Sequence, residues 1–257
     1  SLDSYLKTHR TDVPLDEKEV ELRLRYLHLA KRDVDALQKV FPIIEEEIDD
    51  IVDAFYRHLL DFEETRSILQ TESTVQRLKG TLKTYLRTAF SCTLDRDYFE
   101  GRFKIGQAHN NVGLRPKWYI GAYCLLKRLI NPIIFKAYKG NTEKVLYTLD
   151  ALDKVFFLDA TLAMDSYIHS YIGNLEDAYK KVVQTEQDWI DTFNSITDLV
   201  SVHDKDFNII KANKAVYERF GISENDLGRK KCYHIFHGTD KHWPDCPLVK
   251  ARESLKP

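Results

Sequence analysis

Between Asn141 and Asn194 the chain contains no proline and a single glycine, Gly173, and helix-favouring residues dominate. Proline removes a backbone donor and clashes with the preceding turn, so its absence over such a length predicts one or two very long helices. Toward the end of this stretch apolar residues stand at Ile172, Leu175, Tyr179, Val182, Trp189 and Phe193, with Glu186 as the one polar residue in the seam. Steps alternating between three and four make a heptad pattern over about three repeats. The preferred reading is a parallel coiled coil between two copies of the chain, with a helix packed on its own domain as the other.

After Thr197 the pattern changes character. LVSVHD (199–204) and FNIIKAN (207–213) are short β-rich segments separated by Lys205 and Asp206, which predicts two strands joined by a tight turn. A helical stretch, KAVYERFG (214–221), follows.

Composition narrows the partners. The 257 residues are comfortable for two domains, and 38 basic residues against 40 acidic leave no electrostatic footprint for nucleic acid or an anionic membrane. Lys127 and Arg128 interrupt the most hydrophobic region and no secretory signal precedes the first helix, so a cytoplasmic chain is expected. The four cysteines, Cys92, Cys124, Cys232 and Cys246, are too few and scattered for a disulfide framework. The chain opens on Ser1 rather than methionine, as an excised or processed piece would.

His109 lies in the run IGQAHNNVGLRPKWYIGAY (105–123), on a helical face with Tyr98, Arg102, Ile105 and Val112. Gly106 and Gly113 flank it, about a turn to either side. Glycine costs a helix roughly 1 kcal/mol relative to alanine, so two of them here suggest that something bulky or flat approaches the backbone. A porphyrin is such an object.

The stretch from about 20 to 172 resembles the sensor globins, the haem-binding family of globin-coupled sensors and protoglobins. The resemblance is carried by the FY…LL segment (Phe55, Tyr56, Leu59, Leu60) and the RLKGTLKTYLRTAF helix (77–90). It is also carried by DRDYFEGRFKIGQAH leading to the histidine and by the pair Trp118 and Tyr119. It implies a bound haem b, with His109 as the proximal iron ligand. Such a ligand is tuned by whatever accepts a hydrogen bond from its other ring nitrogen, and a backbone carbonyl in the preceding turn is the simplest acceptor.

The resemblance makes Tyr56 the distal tyrosine, a hydroxyl donor to dioxygen or another diatomic gas, with Phe55 and Leu59 as dry walls. A second wall comes from the helix carrying Val75, Leu78, Leu82, Tyr85 and Ala89. Leu78 and Thr81 match family positions that face the ligand. Thr81 offers a second hydroxyl or bonds back to its own helix. No histidine lies between Glu72 and Ser91, so five-coordinate ferrous iron is expected. His58, two residues from Tyr56, points off its face.

Ile105, Val112, Trp118 and Tyr119 complete the expected haem-contacting set. Pro116 suits the first turn of a helix, which in the family joins the long helix after it in a homodimer built as an antiparallel four-helix bundle. Ile120, Cys124, Lys127 and Ile134 against Leu149, Leu152, Phe156 and Leu158 fit that interface or the globin core equally well. Tyr119 is the expected relay of ligand state.

Residues 195–257 resemble the start of a PAS domain, which continues in that family to three further strands. The chain ends at Pro257 before them, so the PAS portion is expected to be incomplete, with an exposed sheet edge. Cys232, His234, His237, His242 and Cys246 fit no standard zinc spacing. The expected fold is therefore mainly α. An N-terminal extension (1–19) precedes a globin-like helical sandwich (20–172), then a coiled-coil linker (173–194) and an incomplete α+β PAS segment (195–257). A sensor of a gas or of haem redox state, signalling to a downstream output domain, is the preferred function. A storage globin or haem enzyme needs no transmission helix, and a haem-free stressosome-type module needs no His109. No kinase, cyclase or methyl-accepting segment is recognisable, so no catalytic role is expected.

Overall fold

A computed structural model describes residues 16–91 and 93–254. Most of the expected 1–19 extension, and Cys92, lie outside the described residues. The chain divides into two compact units between Glu176 and Asp177.

The first unit is helical: α1 (Glu17–Tyr26), α2 (Lys31–Glu46), α3 (Ile48–Leu59), α4 (Glu63–Leu69), α5 (Glu72–Ser91), α6 (Arg96–Asn111), α7 (Pro116–Ala137) and most of α8 (Thr142–Ser195). The proline-free stretch forms the single helix α8, as its composition demands. Its buried residues Ala151, Leu152, Val155, Phe156, Leu158, Leu162 and Ala163 recur at helical spacing and run through the core. Helices α2 and α3 each pack against both α5 and α7. Lys79 of α5 pairs with Asp53 at 2.7 Å, Lys83 pairs with Asp49 and Arg87 with Glu45, one turn apart along α5. These partly exposed pairs orient α5 on α2 and α3 more than they stabilise it.

The second unit includes the end of α8, β1 (Ser201–His203), β2 (Ile209–Ala212), α9 (Lys214–Phe220), α10 (Cys232–His237) and α11 (Pro247–Ser254). β1 and β2 are antiparallel, Ser201 opposite Ala212, with an irregularity between Val202 and His203. The connection is longer than a two-residue turn: the Asp204 carboxylate accepts from the backbone of Asp206 and Asn208 at 2.8 and 2.9 Å, closing residues 204–208. Asn213 caps α9 by accepting from Val216 N, and Gly221, at φ 60°, ends that helix. Ile209, Ala212, Val216 and Cys232 form a small core. No helix among the described residues is long and apolar enough to cross a membrane.

Candidate functional site

The side chain of Asp95 accepts from Tyr98 N at 3.0 Å and starts α6. Gly113, at φ 76°, stops it, and the Leu114 amide closes back onto the His109 carbonyl at 3.0 Å. Pro116 then opens α7 as its first residue. The tight reversal places His109 in the last turn of α6 and brings Tyr119 of α7 against it, ring centroids 4.9 Å apart at an interplanar angle of 64°.

The half-buried His109 donates from Nδ1 to the carbonyl of Ile105, one turn earlier, at 2.8 Å. A carbonyl only accepts, so Nδ1 carries the proton and Nε2 keeps its lone pair. Burial holds the imidazole below the usual histidine range, and the Ile105 hydrogen bond opposes this only in part. The group is thus a neutral, single-nitrogen donor with its tautomer fixed. That is what haem iron requires of a protein ligand, so His109 fits the group.

Phe55 and Tyr56 are buried on α3 with their rings edge to face at 5.4 Å. Leu59, Leu78, Leu82 and Ile105 are partly buried against the same apolar cluster, which also holds Tyr119. Burial pushes the Tyr56 phenol up to about 12, with the Arg77 charge opposing. Among the described residues no hydrogen bond engages that hydroxyl. Tyrosines nearer the proximal side are committed: Tyr119 to Tyr123 at 3.0 Å, Tyr85 and Tyr98 to Asp159, and Tyr167 to the carbonyl of Leu114.

The structure places the other expected contacts as follows. Thr81 is exposed and donates to Arg77 O at 3.3 Å, the back-bonding alternative. Val112 is the C-cap of α6 and 57% exposed, so it does not join the cluster. Trp118 donates from Nε1 to Glu64 at 2.8 Å, and its ring lies 5.1 Å from that of Phe62 at an interplanar angle of 53°, at the junction of α4 and α7. The glycines flanking His109 answer to the protein itself. A Cβ on Gly106 would lie 2.7 Å from Cα of Ala163 and 2.2 Å from Ser166 Oγ, so it is α8 that approaches there, while Gly113 supplies a left-handed turn. Ile134, Leu152, Phe156 and Leu158 are core, whereas Ile120 and Cys124 are exposed. The C-terminal histidines are dispersed into ring contacts, His237 on Trp243 and His242 on Phe207, and no metal-holding cluster occurs among the described residues.

Sequence reasoning missed Asp159. Its signal is an acid between Leu158 and Leu162 on the buried face of α8.

The chain is 33% identical over 175 residues to the "Heme-based aerotactic transducer HemAT" of Halobacterium salinarum, covering 64% of this chain but only 36% of that protein. The globin domain of a Geobacter sulfurreducens globin-coupled sensor superposes with a TM-score of 0.54 at 24% identity, covering 57% of this chain and 96% of that one. The globin domain of E. coli DosC in its ferric form gives 0.50 at 14% identity, covering 56% and 97%. These two structures share the helical fold. A family model described as Protoglobin matches residues 16–172, more than half of the chain, and the chain therefore belongs to the protoglobin family.

Proposed function

We propose that this chain is the input region of a haem-based gas sensor. The observation that carries the reading is His109 itself: a neutral imidazole whose Nδ1 proton is committed to Ile105 O, leaving Nε2 for iron. The similar aerotactic transducer, named as haem-based, supports it. Haem b, when bound, supplies an iron able to hold a diatomic gas reversibly. The chain's own residues do the rest. His109 holds the proximal side, and Phe55, Leu59, Leu78, Leu82 and Ile105 keep water out. Tyr56 would offer its uncommitted hydroxyl as a hydrogen-bond donor to a diatomic ligand such as dioxygen, and a donor in dry surroundings acts more strongly than in water.

Transmission belongs to the other helices. Ile120, Cys124 and Phe135 are exposed along one face of α7. Leu146, Phe157 and Ile168 are exposed on α8 at eleven-residue spacing, which keeps them on one face of a helix. A second copy of the chain is the occupant we assign to this surface, giving a homodimer. Beyond it, Leu175, Val182 and Trp189 are exposed at seven-residue spacing, in keeping with a parallel coiled coil over 173–194. Residues 195–257 carry the first strands and helix of a PAS domain, and a downstream output domain or protein receives the signal. In this reading the chain is cytoplasmic, with the globin domain over 20–172.

The test is oxygen binding by the haem-loaded protein. Its ferrous spectrum should change reversibly between argon and oxygen, and Tyr56→Phe should release oxygen about tenfold faster, the loss of one good hydrogen bond. A protein that takes up no haem would instead be a haem-free input module.

A further inference from the structure

We propose that Asp159 is a positioning residue that ties the His109 helix to α8, so that a change at the haem is delivered to α8 through one buried carboxylate. The inference rests on the haem reading above.

Asp159 is fully buried, and its carboxylate is shared by three helices. Oδ1 accepts from Tyr98 of α6 at 2.7 Å, and Oδ2 accepts from Tyr85 of α5 at 2.7 Å. Arg102 of α6, itself almost wholly buried, brings Nε to 3.2 Å from Oδ2. That pair is an ionic contact without hydrogen-bond alignment. The guanidinium lies 4.3 Å from the ring centres of both Tyr85 and Tyr98 and donates from Nη2 to Thr88 at 2.9 Å.

Stability alone does not account for such a cluster, since apolar residues of similar volume commonly do as well in a core. Its placement does. Arg102 stands two turns before His109 on the same face of α6. One turn after Arg102, Gly106 rests against Ala163 and Ser166, which follow Asp159 on α8 by one and two turns. Helix α6 is therefore held to α8 at two successive points, one charged and one in backbone contact, and close-packed contacts do not deform gradually.

A second route reaches the same carboxylate. The His109 ring meets Tyr119, the Tyr119 hydroxyl meets that of Tyr123, the Tyr123 ring lies 6.5 Å from that of Tyr85, and Tyr85 donates to Asp159. Both routes out of the proximal histidine end on α8, the helix that carries the heptad seam.

The experiment uses the full chain loaded with haem, comparing Asp159→Asn with Asp33→Asn. Asp33 is an equally buried acid, paired with Lys154 and Tyr147 and absent from both routes, so it controls for a merely structural loss. The readouts are the iron–histidine stretching band of the ferrous protein by resonance Raman and the oxygen dissociation rate. Asp159→Asn should shift the band and change the rate by about fivefold or more, the lower end of usual coupling between sites, while Asp33→Asn leaves both near wild type. If Asp159→Asn does not fold, Tyr98→Phe, which removes one hydrogen bond to Oδ1, carries the same expectation. A wild-type band that neither Asp159→Asn nor Tyr98→Phe moves, or that Asp33→Asn moves equally, overturns the proposal. Absence of the band from the wild type would instead defeat the haem reading.

Discussion

The ring of Tyr119 stands edge-on to the imidazole of His109 at 4.9 Å, and its hydroxyl is paired with that of Tyr123 at 3.0 Å. The aromatic body and the polar tip therefore do separate jobs. Tyr119→Phe keeps the ring beside His109 and should cost about 1 kcal/mol of stability, the net worth of one neutral hydrogen bond. Tyr119→Leu removes the ring that orients the imidazole and should alter oxygen affinity more than Tyr119→Phe does. Equal oxygen affinities in the two variants, by equilibrium titration, would show that the ring contact is incidental.

Gly106 and Gly101 lie on the same helix yet should respond oppositely to alanine. At Gly106 a Cβ meets backbone atoms of Ala163 at 2.7 and 2.9 Å, so α8 must move. Overpacking of that kind costs about 1–3 kcal/mol, and the helix-propensity gain of roughly 1 kcal/mol does not reliably offset it. Gly101 has nothing within 4 Å of its would-be Cβ, so Gly101→Ala should stabilise by up to about 1 kcal/mol. Thermal melts of both variants decide the matter, and a Gly106→Ala protein as stable as Gly101→Ala would refute the close approach.

Burial depresses His109 below its unfolded value of 6.5, so the unfolded chain binds the proton more readily. The stabilising contribution is then fully present above that unfolded value and is lost as pH falls through the lower folded one. Taking the haem-free protein from about pH 7.5 to about pH 5 should lower its melting temperature, and less so in His109→Gln, which cannot be protonated. Identical pH dependence in the two proteins would mean that the imidazole is not desolvated.

Phe157 is 60% exposed on α8, on the face that we assign to a second copy of the chain. Phe157→Glu should leave the monomer's stability within about 0.5 kcal/mol, the usual range for surface changes, yet halve the mass in solution. Sedimentation or light scattering measures that mass. A dimer that survives both Phe157→Glu and Leu146→Glu would place the interface elsewhere.

What the sequence made legible depended on how local the cause was. Helix α8 follows from composition within its own span, the β1–β2 pair from two short β-rich runs, and the acceptor for His109 from the geometry of a single turn. Gly106 was misread because its reason lies 57 residues away at Ala163, and nothing in α6 says which helix will approach. Periodicity likewise marked Ile120, Ile134, Leu152 and Phe156 as apolar helical positions without saying which sides face α2 and α3 and which face outward. The Asp159 cluster was invisible for the same reason: its four helical partners come from α5 and α6, and pairing of buried polar groups is a tertiary fact.

The central claim is that His109 is the iron ligand, and the most direct measurement is the absorption spectrum of purified protein and His109→Ala after haem reconstitution, ferrous and then oxygenated. The account predicts a sharp Soret band and a five-coordinate ferrous form in the wild type that binds oxygen, with the band lost or collapsed in His109→Ala. An unchanged Soret band and unchanged oxygen binding in His109→Ala would contradict it.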